Sequence, residues 1–147
     1  MNQLEAIWEN LTTHQISDRD IEEREGKGGK VLHYYKWASC WRELINRFPD
    51  ADYAFELFER DGKAYDVMYY ADGSASVHCT VTIQGVSRSM WLPVMNYKNE
   101  AITNPNARDV SDAKMRCLVK TIAMFGLGLD LYEGKYNPDS EENNNGI

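Results

Sequence analysis

The sequence predicts an α+β fold: an antiparallel four-stranded β-meander, flanked by an N-terminal helix and followed by a long helix packed on the sheet. Three observations predict it. Between residues 52 and 96 apolar and polar residues alternate with period two, and Asp-Gly pairs punctuate the alternation. On both sides of that stretch the apolar residues recur at three and four, the spacing of a helix face. The 147 residues suit one domain, large enough to bury roughly 68–70% of its unfolded surface without a staple.

Residues 3–12 place Leu4, Ile7, Trp8 and Leu11 on one face of a short helix. Residues 17–30 (SDRDIEEREGKGGK) are polar and end in glycines, which reads as a mobile loop. In HYYKWASCWRELINRFPDA, Trp37, Trp41, Leu44, Ile45 and Phe48 form a second helix face, and Pro49 ends it. Four strands follow, over 52–60, 63–71, 74–85 and 86–96. Asp61-Gly62 and Asp72-Gly73 are the first two turns, and Gly85 breaks the third strand from the fourth. Pro93 lacks an N–H, so the fourth strand lies at an edge or ends there. Residues 97–109 read as a polar loop. The final helix is expected over 111–125, capped by Ser111 or Asp109 and stopped by Gly126. The single domain therefore spans 1–132, and 133–147 is an acidic, asparagine-rich tail with the composition of a disordered segment.

The net charge of −7 argues against a polyanionic partner until it is divided along the chain. Residues 1–25 carry −5 and residues 133–147 carry −3, whereas 26–132 carry +1. A local basic groove is compatible with that distribution, because the field at a site matters more than the sum. The three cysteines are far apart and form no CxxC pair, which suits a reducing compartment with thiols as small core residues. No apolar run approaches the roughly 20 residues of a membrane span, and the N-terminus lacks the pattern of a secretion signal. A cytoplasmic protein is expected.

Gly26-Lys27-Gly28-Gly29-Lys30 lacks the spacing of a phosphate-binding loop. His78 and Cys79 are strand neighbours on opposite faces, and His14 and His33 lie elsewhere, so no metal site is expected. Nothing in the spacing unites a Ser or Cys nucleophile with a His and a third group, so no catalytic residue is assigned. Two cation clusters remain. Arg116 and Lys120 are one turn apart on the final helix, roughly opposite the seam Met115, Leu118, Ile122 and Phe125. Lys36 and Arg42 sit among Tyr34, Tyr35, Trp37 and Trp41. Cations interleaved with aromatic rings suit single-stranded nucleic acid. On pattern alone a solvated helix face is the better explanation of both.

The strings YKWASCWREL, FPDADYAFELF, SRSMWLPVMNYKNEAI and AKMRCLVKTIAMFGLGLDLYEG occur in this order over residues 31–134. In this the chain resembles a family of phage single-strand DNA annealing proteins, within the superfamily that holds Erf, Red-beta and the eukaryotic Rad-type annealing proteins. The resemblance implies ATP-independent binding of single-stranded DNA and annealing of complementary strands in phage homologous recombination. It implies no enzyme activity, no cofactor, and assembly of the chain with itself into a ring or helical filament in the bacterial host cell. A phage exonuclease or a host single-strand binding protein would be a further partner. It also implies a basic groove with Lys120 in LVKTIAMFG, Arg116 in MRCLVK and Lys36 in YYKWAS. Trp37 and Arg42 join the groove from the aromatic cluster, and Arg88, Lys98 and Arg108 from charge and location. The family pattern commonly has a small residue at Lys36 and a tyrosine at Asp130. Two other readings are a single-strand-protecting module without annealing activity, and a structural or protein-binding domain with no nucleic-acid role.

Overall fold

The structure is a computed structural model that describes residues 2–136, apart from the Lys27 side chain. Helix α1 (Gln3–Thr12) starts where Asn2 Oδ1 accepts the Glu5 N–H at 2.8 Å, and it buries Ile7 and Leu11 completely. Trp8, expected on that face, stays 44% exposed.

Where a mobile loop was expected, the chain forms an antiparallel hairpin. β1 (Ile21–Glu25) pairs with β2 (Val31–Tyr35), from Ile21 opposite Tyr35 to Glu25 opposite Val31. Only Ile21 of β1 is buried, so its backbone ladder rather than an apolar face holds it in place. Helix α2 (Trp37–Arg47) begins after that hairpin. It buries Cys40 and Leu44, with Phe48 one turn further. Trp41 and Ile45 are half-buried, but Trp37, expected in the core face, stands at the first position of the helix and is 48% exposed.

The architecture is α+β with antiparallel sheets, but the strands do not follow one another as a simple four-stranded meander. The chain runs through β3 (Asp52–Phe55), β4 (Phe58–Arg60), β5 (Lys63–Tyr65), β6 (Met68–Tyr69), β7 (Ala75–Ile83) and β8 (Val86–Pro93). β7 is central: β8 lies on one side of it, and β3 and β6 share the other. Each of the first two expected strands is split. Its outer half, β4 or β5, forms a separate hairpin closed by Asp61-Gly62, while its other half pairs with β7. The break at Glu56-Leu57 has a physical cause. Both side chains are exposed, and the Glu56 N–H bond to the His78 carbonyl is the last rung toward β7.

Along β7, Val77, Cys79, Val81 and Ile83 are all buried, alternating with the half-buried His78, Thr80 and Thr82. The buried set faces helix α3 (Ala107–Ala123), which packs on β7 and β8 and beside α2. α3 begins earlier than expected. Its N-cap is Asn106, not Asp109 or Ser111, because Asn106 and Asp109 form a reciprocal capping box. Leu118, Ile122 and Phe125 are buried as the seam predicts, and Met115 is half-buried. The helix also buries the side the seam left out. Cys117 Sγ reaches the Val77 and Met90 carbonyls, and fully buried Thr121 bonds back to the Cys117 carbonyl at 2.7 Å. These small residues let α3 approach the sheet closely.

Past α3, Gly126 has φ +112°, and a Cβ there would lie 2.6 Å from Thr12 Cγ2 and 3.3 Å from Trp8 Cε3. Gly128 has φ +81°, with Tyr35 Cδ2 2.8 Å from the position of its absent Cβ. The chain exit is thus clamped against α1 and β2 before the short α4 (Leu129–Tyr132). At the start of the expected tail, Tyr136 packs against His33, with ring centroids 5.2 Å apart, and donates to Asp18. Residues 137–147 lie outside the described residues. Among the described residues no helix is long and apolar enough to cross a membrane.

Candidate nucleic-acid interface

Between the β1–β2 hairpin and α3 lies a groove of about 730 Å³. Asp112, Met115, Arg116 and Val119, one face of α3, form one wall; residues 30–35 of β2 and its turn form the other. Leu131 and Tyr132 of α4 close one end, and Trp37 stands at the rim. Three cations, Arg24, Lys30 and Arg116, line it with one acid, Asp112. Exposed Val31, Trp37 and Tyr132 edge it, the last two 48% and 53% accessible.

The cations are held by rings. Tyr34 is shared by two guanidiniums, with Arg24 Cζ 5.5 Å and Arg116 Cζ 5.4 Å from its ring centre. Arg116 also donates to Asn99 Oδ1 at 3.0 Å, which ties it to the turn after β8. Asn99 has φ +63°, and its turn is pinned by Asn96, whose Oδ1 accepts the Lys98 and Glu100 N–H groups. Among the described residues neither Arg24 nor Arg116 has a carboxylate partner inside the groove: Arg24 contacts Glu22 on its own strand at 3.2 Å. An exposed ion pair of that kind is weak and leaves the cation available.

The expected site residues divide between this groove and other places. Arg116 and Trp37 line it. Lys98 is exposed in the turn beside Asn99, its ammonium 5.7 Å from the Tyr97 ring centre. Lys120 is half-buried and turns away toward β8, where Nζ donates to the Trp91 carbonyl at 3.4 Å. Lys36 is exposed outside the groove, and its Nζ donates to the Arg19 carbonyl at 2.7 Å. Arg88 pairs with Val81 on the helix-facing side of the sheet. Arg42 and Arg108 are exposed on α2 and the first turn of α3, apart from the groove lining. Arg24, Lys30, Asn99 and Tyr132 were not expected, and Tyr34 was expected only as a neighbour of Lys36 and Arg42. The signal for Arg24 and Lys30 was present: a GKGG turn between two short segments, IEERE and VLHYY, that can pair.

The thiols take no part in this chemistry. Burial pushes Cys79 up to about 12 and Cys117 up to about 11, the Thr121 hydroxyl opposing in both cases and the Lys120 ammonium in the second. Ser76 Oγ and His78 Nε2 do meet at 2.9 Å, a contact the sequence spacing did not suggest, but Ser76 is fully buried and its other partner is the Tyr70 hydroxyl. It therefore lacks the exposure and the carboxylate of a nucleophilic triad. Among the described residues no three His, Cys, Asp or Glu side chains are grouped to hold a metal.

No curated protein matches the chain. A family model, that of the Sak Single Strand Annealing Protein, matches residues 6–146, nearly the whole sequence. With that match, the resemblance carried by its central strings becomes membership: the chain belongs to the Sak single-strand annealing protein family.

Proposed function

We propose that this protein binds single-stranded DNA in the groove between the β1–β2 hairpin and α3 and anneals complementary strands during phage homologous recombination. The observation that carries the reading is the meeting of cations and rings there: Arg24 and Arg116 both at the Tyr34 ring, with Lys30, Trp37 and Tyr132 also lining the groove. Cations neutralise phosphates, and rings take bases without regard to sequence. Family membership supports the same substrate.

Annealing requires no bond to be made in the protein and no ATP. Phosphates of the first strand lie along Arg24, Lys30 and Arg116, and bases held apart from one another are offered to a second strand. One groove of this size takes few nucleotides. Several chains side by side, as a ring or filament, make many weak contacts into one continuous site. The setting is the host cytoplasm, where an exonuclease that exposes single strands, or a host protein that coats them, would be the natural partner.

The test follows two complementary oligonucleotides, one labelled, without nucleotide or metal. The expected result is faster duplex formation with the wild type, lost in Arg24→Ala/Arg116→Ala while circular dichroism is unchanged. Binding without acceleration would indicate a strand-protecting module instead. Flat anisotropy with labelled single strands at low salt would leave only a protein-binding role.

A further inference from the structure

We propose that Trp91 is a base-stacking subsite on the sheet face turned away from the helices, reached from the groove by way of Lys120. The inference rests on the single-strand reading above and extends its path to a second face.

Helix α3 carries the connection. Arg116 lines the groove, and Lys120, one turn further, leaves it for the edge of the sheet. There Nζ meets the backbone carbonyl of Trp91, and two of the three ammonium donors remain for a phosphate. β8 pairs only with β7 among the described residues, so it forms an open edge around which a strand can pass.

The indole itself stands on the far face. Trp91 is opposite His78, and residues directly opposite in a ladder share a side. That side is the one that alternates with the buried Val77 and Cys79. The indole is 48% exposed, yet firmly backed. It stacks on the His78 ring at 6.1 Å and 17°, and Phe58 from the β4–β5 hairpin meets the same imidazole edge-on at 5.0 Å. His78 is in turn bonded to the buried Ser76 hydroxyl. One face of the indole is therefore fixed by a column of side chains, and nothing of this column covers the other.

The surroundings fit a nucleobase better than a charged partner. The neighbouring positions on this face are hydroxyls paired across the strands, Thr80 with Ser89 and Thr82 with Ser87, each at 2.7 Å. No β7 or β8 position on this face is acidic; on the other side of β7, Asp52 is opposite Thr82 at the far end, and the exposed Glu56 follows β3 at the His78 level, its N–H on the His78 carbonyl. A phosphate on Lys120 and a base on Trp91 are thus contacts for one strand. The string MWLPVM, which the groove leaves unused, supplies this residue.

The test compares oligothymidylates of about 4 and about 16 nucleotides, the span of single-strand site sizes. Trp91→Ala is expected to weaken binding of the longer one about tenfold, to change the shorter one less than twofold, and to leave the salt slope unchanged. Trp91→Phe restores most of the loss, and Lys120→Ala lowers the salt slope by about one. Wild-type affinity for the longer strand in Trp91→Ala, or an equal loss for both lengths, overturns the subsite. So does a loss that sedimentation traces to failed self-assembly, which would make Trp91 a contact between copies. If Arg24→Ala/Arg116→Ala abolishes binding while Trp91→Ala does not, only the subsite falls. If the wild type binds neither length, the single-strand reading falls with it.

Discussion

The guanidinium of Arg116 lies 5.4 Å from the centre of the Tyr34 ring, joining the long helix to the second strand of the N-terminal hairpin. Arg24 occupies the same ring at 5.5 Å, so one tyrosine positions two cations that are 92 residues apart in sequence.

Arg116→Ala should weaken single-strand binding about 5- to 30-fold and reduce the salt slope by about one. Arg116→Lys keeps the charge but loses the planar fork and its stacking, so the slope is retained and affinity falls less. Tyr34→Leu should loosen both arginines at once and resemble a partial double mutant. Anisotropy titrations at several salt concentrations measure all three.

Lys36 and Lys30 should behave differently, although the family resemblance and the aromatic cluster pointed to Lys36. Its ammonium is engaged by the Arg19 carbonyl outside the groove, so Lys36→Ala should leave affinity within about twofold. Lys30 lines the groove, and Lys30→Ala should weaken binding about 3- to 10-fold. The same titrations decide.

Gly126→Ala should destabilise the fold by about 2–4 kcal/mol, because a positive φ and a clash with Thr12 Cγ2 act together. Gly85→Ala is the control. It also has positive φ, but nothing lies within 4 Å of its Cβ, so about 1 kcal/mol is expected. Urea midpoints at constant m-value separate the two.

Alkali should unfold the protein through its buried thiols. Cys79 and Cys117 titrate near 12 and 11 when folded, against 9.0 for an unperturbed thiol. Above pH 9.0 the unfolded chain therefore binds fewer protons than the folded one. The stability is fully present below that pH and is lost as pH rises through the folded values, by up to about 1.4 kcal/mol per pH unit for each thiol. The urea midpoint should fall as pH rises from about 9 to about 11. Near neutrality a thiol reagent should modify the chain only in denaturant, where Cys40, Cys79 and Cys117 all become accessible.

The parts of the fold that bury a continuous apolar pattern were legible in the sequence: α1, the body of α2, the β7–β8 hairpin and the Leu118/Ile122/Phe125 seam. The β1–β2 hairpin was not, because IEERE buries one residue and its charges mask the pairing. The division of the first two strands was equally hidden, since period two continues through Glu56-Leu57 while the backbone changes partners. In the groove, Arg116 was legible through the string around it. Arg24 and Lys30 were not, because their segment reads as a polar loop until the ladder with β2 brings it alongside α3.

The two glycines after α3 have a consequence for the order of assembly. Gly126 closes onto α1 and Gly128 onto β2, so the walls of the groove meet only when the first 35 residues join a segment more than 90 positions later. Contacts of such sequence separation come late in folding, after the sheet and its own helix have local partners to find. On the ribosome, a chain still short of residue 128 has a sheet but no complete groove. The groove is therefore complete only after residue 128 has been made and has reached α1 and β2.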